Sequence, residues 1–314
     1  MKKILASLLL AALSLPLFAN EKNLVAQKSF EYGKITDFDF NLTYEEVFFE
    51  KTMADQLSIE IYCNNKKKIP EFEITNETFY LTSVVHRVYP GDVCKVYIYC
   101  PDNTKFDNVK ISSASGQISI KNMEAINADI KAVSGKITIS NLSLEEDLNL
   151  KTTSGSIKAE NIYAESTAIS STSGSITVAN IATSEMENKT TSGKISLDQF
   201  TGEYLLLKST SGKMISKNTG CNYFTVEGTS GAVELELNKK ISASSSIKTV
   251  SGSVSLYVPK NAGFNVSVST TSGRLYDEIN DNSFTPRSGY NKSYYGGGSE
   301  IAIKTTSGSI TIDN

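Results

Sequence analysis

Residues Thr152-Thr153-Ser154-Gly155-Ser156-Ile157-Lys158-Ala159-Glu160-Asn161-Ile162 carry the pattern that decides the fold. A Ser-Gly pair closes one strand-like run, and apolar side chains then return at alternate positions. Such a pair ends a strand-like run ten times, with glycine at Gly116, Gly135, Gly155, Gly174, Gly193, Gly212, Gly231, Gly252, Gly273 and Gly308. Successive spacings are 19, 20, 19, 19, 19, 19, 21, 21 and 35 residues, a self-similarity that marks a repeat architecture.

Aligned on that glycine, the repeats form columns. Two residues after it stand Ile118, Ile137, Ile157, Ile176, Ile195, Met214, Val233, Val254, Leu275 and Ile310, all apolar. The column four after glycine is broken only by Ser216 and Asp277, and the column five before it only by Asn188. Alternation on both sides of a fixed turn means two strands per repeat, each with one buried face. The glycine is expected to supply a positive φ at a tight corner. The Ser and Thr hydroxyls beside it are expected to bond turn amides.

A meander of antiparallel hairpins is the rival arrangement. It needs a second, equally regular two-residue turn, and none is present. A second corner of another kind does recur: Asn122, Asn141, Asn161, Asn180, Gln199 and Asn218 stand six after the glycine. Asn tolerates the left-handed region, and its amide can stack into a ladder between identical corners. The reading is an all-β chain, a parallel β-solenoid of about ten coils of 19–21 residues. At about 4.8 Å per coil it forms a rod of roughly 45 Å. No single coil could bury its apolar side chains alone.

The flanking segments divide the chain. Residues 1–19 read as a signal peptide, with Lys2 and Lys3 before a short apolar run and Ala19 at the cleavage position. Residues 20–105 lack the repeat but alternate like strands, as in Phe38-Asp39-Phe40, and are expected to cap the first coil of a solenoid spanning 106–314. The long spacing before Gly308 marks an insertion at about 277–299 containing Tyr290, Tyr294, Tyr295 and three consecutive glycines. It reads either as an aromatic contact loop for a glycan or partner, or as a flap over the open end of the rod. The last strand ends at Asn314, so the final edge is expected to be covered by that insertion or used for end-to-end self-association.

Composition narrows the functional classes. Loss of residues 1–19 would move the formal charge from −3 to −5, and no basic patch suggests nucleic acid. No later apolar run would span a membrane, so a periplasmic, cell-surface or secreted location is expected. Cys63, Cys94, Cys100 and Cys221 have no metal or redox spacing. An oxidising compartment permits a disulfide from Cys63 to Cys94 or to Cys100, against the alternative of three buried thiols.

With the ladder laid out, the chain resembles the family called domain of unknown function 4097, adhesin-like proteins with β-strand repeats. The residues that carry the likeness are the Thr-Thr-Ser-Gly-Ser-Ile motifs at Thr152–Ile157 and Thr305–Ile310 and the lead-in Val96–Pro101 followed by Phe106 to Gly116. The resemblance covers about Phe38 to Asn314. It implies a right-handed, three-faced β-helix-like body on an exported protein and transfers no site.

No catalytic constellation emerges. His86 is the sole histidine, which removes His-dependent triads and multi-His zinc sites. Glu145, Glu146, Glu160, Asp198, Glu234 and Glu236 are scattered, and the repeated lysines read as solubilising charge. The expectation is a non-enzymatic envelope module, with no cofactor or metal, that contacts an envelope protein or a glycan. The alternative is a carbohydrate-active β-helix enzyme, a polysaccharide lyase or hydrolase, which needs carboxylates or basic residues converging on one face.

Overall fold

The computed structural model describes residues 24–31, 33–84, 87–102, 104–286 and 289–314. The signal segment 1–19 and His86 lie outside the described residues. Within them the chain is all-β: 26 strands in one hydrogen-bonded network, with two short 3-10 turns at Lys66–Lys68 and Glu278–Asn280.

The repeats pair in parallel and in register. Ile118–Ala132 lies beside Ile137–Leu144, which lies beside Ile157–Ser171, so Ile118, Ile137 and Ile157 sit directly over one another. The pairing continues through Ile176, Ile195, Met214, Val233 and Val254. Neighbouring Ser-Gly corners therefore share one rim, and the antiparallel meander is excluded. The breaks in the columns are local. Ser216 is buried with its hydroxyl 2.7 Å from that of Thr219. Asn188 is buried between Ile169 and Leu207.

The corner glycines are needed for a reason other than the expected one. None of the ten has positive φ; that conformation belongs to Gly33, Gly91, Gly289, Gly296 and Gly297. What the corners require is space. A Cβ on Gly174 would lie 1.7 Å from the carbonyl oxygen of Gly155 in the preceding repeat. The glycine amide is held by a hydroxyl three residues earlier, as in Gly155 N to Thr152 Oγ1 at 3.0 Å, and not by the adjacent serine. The second corner meets its expectation: Asn122, Asn141, Asn161, Asn180, Gln199 and Asn218 all have φ between 51° and 58°.

Both ends of the stack depart from chain order. At the N-terminal end Asp37–Leu42 pairs with Lys105–Ser113 on one side and with Thr78–Thr82 on the other. Glu46–Thr52 likewise lies between Ile118–Ala132 and Cys94–Pro101. Residues 37–52 thus form a rung between 78–101 and 105–132, and the ladder crosses residue 105 without a break. Glu45 occupies the corner position beneath Gly116. Its buried carboxylate accepts hydrogen bonds from the amides of Thr43 and Tyr44 and from the Ser83 hydroxyl. Phe38, Phe40, Phe49, Phe79 and Phe106 fill this end edge to face.

At the C-terminal end Glu300–Thr305 lies between Ser245–Lys248 and Phe264–Thr270. Ile310–Asp313 lies between Val254–Tyr257 and Leu275–Asp277. The glycine column accordingly runs from Gly252 to Gly308 to Gly273. The 35-residue spacing is therefore an exchange of rung order as well as an insertion.

Antiparallel strands close each end. Leu57–Cys63 and then Leu24–Phe30 add to Cys94–Pro101, and Glu71–Thr75 adds to Thr78–Thr82. Tyr290–Tyr294 and Asn282–Phe284 cover Phe264–Thr270 and Leu275–Asp277. Half-buried Lys28 stands opposite buried Ile59, and exposed Lys292 opposite buried Val266, so each terminal strand carries a lysine. Charge on a terminal strand opposes edge-to-edge addition.

Cys63 and Cys94 face each other across the antiparallel pair and form a disulfide, while Cys100 and Cys221 are buried thiols. The reading of three buried thiols in this segment is thereby corrected. The bridge closes a segment of 31 residues. Loop-closure entropy assigns such a bridge about 3.7 kcal/mol. Reduction is expected to lower the thermal midpoint by about 6 °C, measured by circular dichroism with and without reductant.

Candidate functional site

The Asn corner generates the clearest surface feature. A left-handed residue at the same place in successive rungs bends every strand there and aligns the side-chain amides. Asn141 Nδ2 donates to Asn122 Oδ1, Asn161 to Asn141 and Asn180 to Asn161, each at 2.7 Å. Asn218 does not join this ladder: it donates to Asp198 Oδ1 at 2.8 Å, one residue before the corner Gln199. Each ladder bond uses one amide hydrogen and one oxygen lone pair, leaving the second of each to face solvent.

Beside the ladder runs a shallow groove of about 460 Å³. Asn122, Asn141, Asn161 and Asn180 form one wall, Met123, Leu142 and Ile162 the floor, and Glu124, Ser143, Tyr163 and Ala182 the far side. Tyr163 is 62 % exposed, and its cross-strand neighbours are the small residues Ser143 and Ala182. An aromatic ring thus stands clear above a stretch of backbone whose own apolar side chains, Met123, Leu142 and Ile162, are buried in the core. The charges in the groove are Lys51 and Glu124, paired at 3.6 Å.

The carboxylates read from the sequence do not converge. Glu145 pairs with Lys105 at 2.6 Å, Glu160 with Lys158 at 3.2 Å, and Glu234 with Lys213 at 3.0 Å. The hydrogen bond from Lys213 holds the Glu234 carboxyl below its ordinary range. Asp198 accepts from Asn218, and Glu146 from Asn127 at 3.1 Å. Among the described residues no group of three His, Cys, Asp or Glu side chains is placed to hold a metal ion. Burial pushes the thiols of Cys100 and Cys221 up to about 12, so neither is a ready nucleophile.

The tyrosines of the insertion are mostly structural. Tyr294 is buried with its ring stacked on Phe264 at 4.7 Å. Tyr290 is partly buried and donates to Asp277 Oδ2 at 2.9 Å. Asp277 also accepts from Asn280 Nδ2 at 2.8 Å, which explains the acid in an apolar column: it pins the covering strands. Burial drives the Tyr294 phenol far above its ordinary range. Tyr295 alone of the three is exposed, and it hydrogen-bonds Asn314. The insertion packs as a flap, and the contact-loop reading fails for Tyr290 and Tyr294.

Tyr163 was not singled out from the sequence. The signal was present: it stands two residues after Asn161, in a column whose flanking members are small.

An all-β repeat chain with parallel in-register rungs and an Asn corner ladder is the class that these observations define. The chain belongs to the Toastrack DUF4097 family, whose model matches residues 35–187 and 146–313. Among solved structures it is similar to a "putative adhesin" from Bacteroides fragilis, 11% identical over 93% of this chain and 98% of that one, TM-score 0.42. It is similar also to a "putative lipid binding protein" from Parabacteroides distasonis, 13% identical over 93% and 97%, TM-score 0.42. A third is a "putative adhesin" from Parabacteroides merdae, 12% identical over 93% and 96%, TM-score 0.32. At these scores the likenesses carry no part of the functional argument. No curated protein matches the chain. Among the described residues no helix is long and apolar enough to cross a membrane.

Proposed function

We propose that the protein is an exported, non-enzymatic, adhesin-like β-solenoid of the cell envelope that holds a neutral, extended glycan in the groove beside its Asn ladder. The observation that carries this reading is the exposed Tyr163 ring beside four aligned amides, with no unpaired charge in the groove. Amides supply paired donors and acceptors for sugar hydroxyls, and an aromatic ring stacks on the apolar face of a pyranose. Four rungs span about 14 Å at the usual strand spacing, room for roughly three sugar units. Hydrolysis would need two carboxylates flanking the bond. The groove has one, Glu124, and Lys51 neutralises it.

Export rests on the basic and apolar pattern of residues 1–19 and on the oxidised Cys63–Cys94 pair. The test is affinity electrophoresis of the mature chain through soluble xylan and hydroxyethyl cellulose, with calorimetry on chito- and cello-oligosaccharides. Retention by at least one of these, weakened about tenfold in Tyr163→Ala, is the expected result, since one stacked aromatic contributes about 1 kcal/mol beyond its buried area. Equal retention of the variant would overturn the assignment of the groove, and appearance of shortened glycan would restore the enzyme alternative.

A further inference from the structure

Exposed apolar side chains are distributed unevenly over this protein. Of the twelve large ones among the described residues, eight lie between positions 24 and 93, and four of these are Val84, Val88, Tyr89 and Val93. They occupy the segment that joins Thr78–Thr82 to Cys94–Pro101, where later rungs have only the tight Ser-Gly corner. Tyr89 is 57 % and Val93 46 % exposed, unusual for a segment that packs no core of its own.

The segment is nevertheless built. Its centre is Lys68 from the neighbouring 3-10 turn, a buried lysine whose ammonium pairs with Asp92 and donates to the Arg87 carbonyl oxygen at 3.0 Å. The same ammonium lies 4.6 Å from the centroid of the Tyr89 ring. Asp92 also accepts from the Tyr89 amide at 2.6 Å, and its carboxyl is held below the ordinary range chiefly by the Lys68 hydrogen bond. Asn64 ties the two segments together, donating to the Gly91 carbonyl at 2.6 Å and accepting from the Val93 amide at 3.0 Å. A buried ion pair and five polar contacts therefore hold a surface knob whose apolar side chains point at solvent.

Cations surround those side chains. Lys66, Lys67 and Arg87 are exposed, and within 64–68 and 87–93 the sole carboxylate, Asp92, is already taken by Lys68. We infer that this knob docks on an anionic lipid surface: Val88, Tyr89 and Val93 enter the headgroup region while Lys66, Lys67 and Arg87 face the phosphates. Short apolar tips with a phenol at the polar boundary and flanking lysines match the interfacial mode of membrane attachment. Each basic residue near such a surface strengthens binding several-fold. The inference stands apart from the glycan groove, whose lining residues, Lys51 and those of 122–182, include none of the knob.

The test is co-sedimentation of the mature chain with vesicles of phosphatidylcholine, with and without phosphatidylglycerol, at low and high salt. Binding is expected only with phosphatidylglycerol and should fall steeply as salt screens the lysines. The double variant Lys66→Glu, Lys67→Glu should lose at least about tenfold in affinity. Val88→Asp with Val93→Asp should lose a similar factor while keeping the parent's circular dichroism and thermal midpoint. Absence of binding to phosphatidylglycerol vesicles, or variants that bind like the parent, would overturn the inference. So would concentration-dependent self-association of the parent that the Val88, Val93 variant abolishes, because the knob would then be an interface between copies.

Discussion

A chain truncated after Ser299 is expected to lose amide-exchange protection well beyond the residues removed, across Phe264–Thr270, Leu275–Asp277 and both covering strands. The rung formed by 300–313 supplies both hydrogen-bonded neighbours of those strands on their inner side. Its Ile301, Ile303, Ile310 and Ile312 are almost wholly buried. At about 1.5–3 kcal/mol per buried aliphatic side chain, the four contribute on the order of 6–12 kcal/mol, as much as the net stability of a typical domain. Coupling in a stacked repeat passes chiefly between neighbours, so protection should survive in the rungs below Lys248. Hydrogen exchange read by mass spectrometry gives the answer directly. Persistent protection at 264–277 would mean that rungs follow chain order, and the exchange at the C-terminal end would be wrong.

Gly174→Ala is the second large effect. The added methyl would meet the Gly155 carbonyl oxygen at 1.7 Å and its carbon at 2.6 Å. That carbonyl cannot retreat freely, because the adjacent Ser173 amide is bonded to Thr153 O at 2.8 Å in the rung below. Overpacking against backbone costs about 3 kcal/mol, a fall in thermal midpoint of about 5 °C for a chain of this size. Gly296→Ala is the control. Gly296 has φ +84°, and a methyl group added there would meet nothing within 4 Å. Only the left-handed penalty of about 1 kcal/mol then applies. Equal losses at the two positions would mean that backbone conformation, and not the approach of the next rung, selects the corner glycines.

Glu45 makes the same point from within the molecule. It stands in the glycine column, yet the rung beyond it sets the Ser83 hydroxyl beside it in place of a corner glycine, and its carboxylate fastens the junction. Periodicity identified the column correctly but could not tell torsion from proximity, because both demand glycine. The Asn corner was legible for the opposite reason: few residues besides Asn combine tolerance of the left-handed region with an amide that can ladder. The disulfide partner depended on which residue faces Cys63 across an antiparallel pair, and two candidates six residues apart on one strand are alike in sequence. Tyr290 and Tyr294 looked like contact residues because an insertion rich in tyrosine and glycine resembles a loop. They are consumed instead by Asp277 and Phe264.

The amino-acid sequence by itself determined the rung: its length, its two buried faces, its glycine and Asn corners, and the parallel stacking that alone buries columns of Ile, Leu and Val. Only the tertiary structure decided the order of rungs at the two ends. Val254 would pack as well on Leu275 as on Ile310, since every rung offers the same residue types at the same positions. Periodicity is blind to such a permutation. Which neighbour wins is settled by the reach of the connections and by the antiparallel strands that must cover the last rung, through contacts such as Tyr290 on Asp277 that lie outside the repeat.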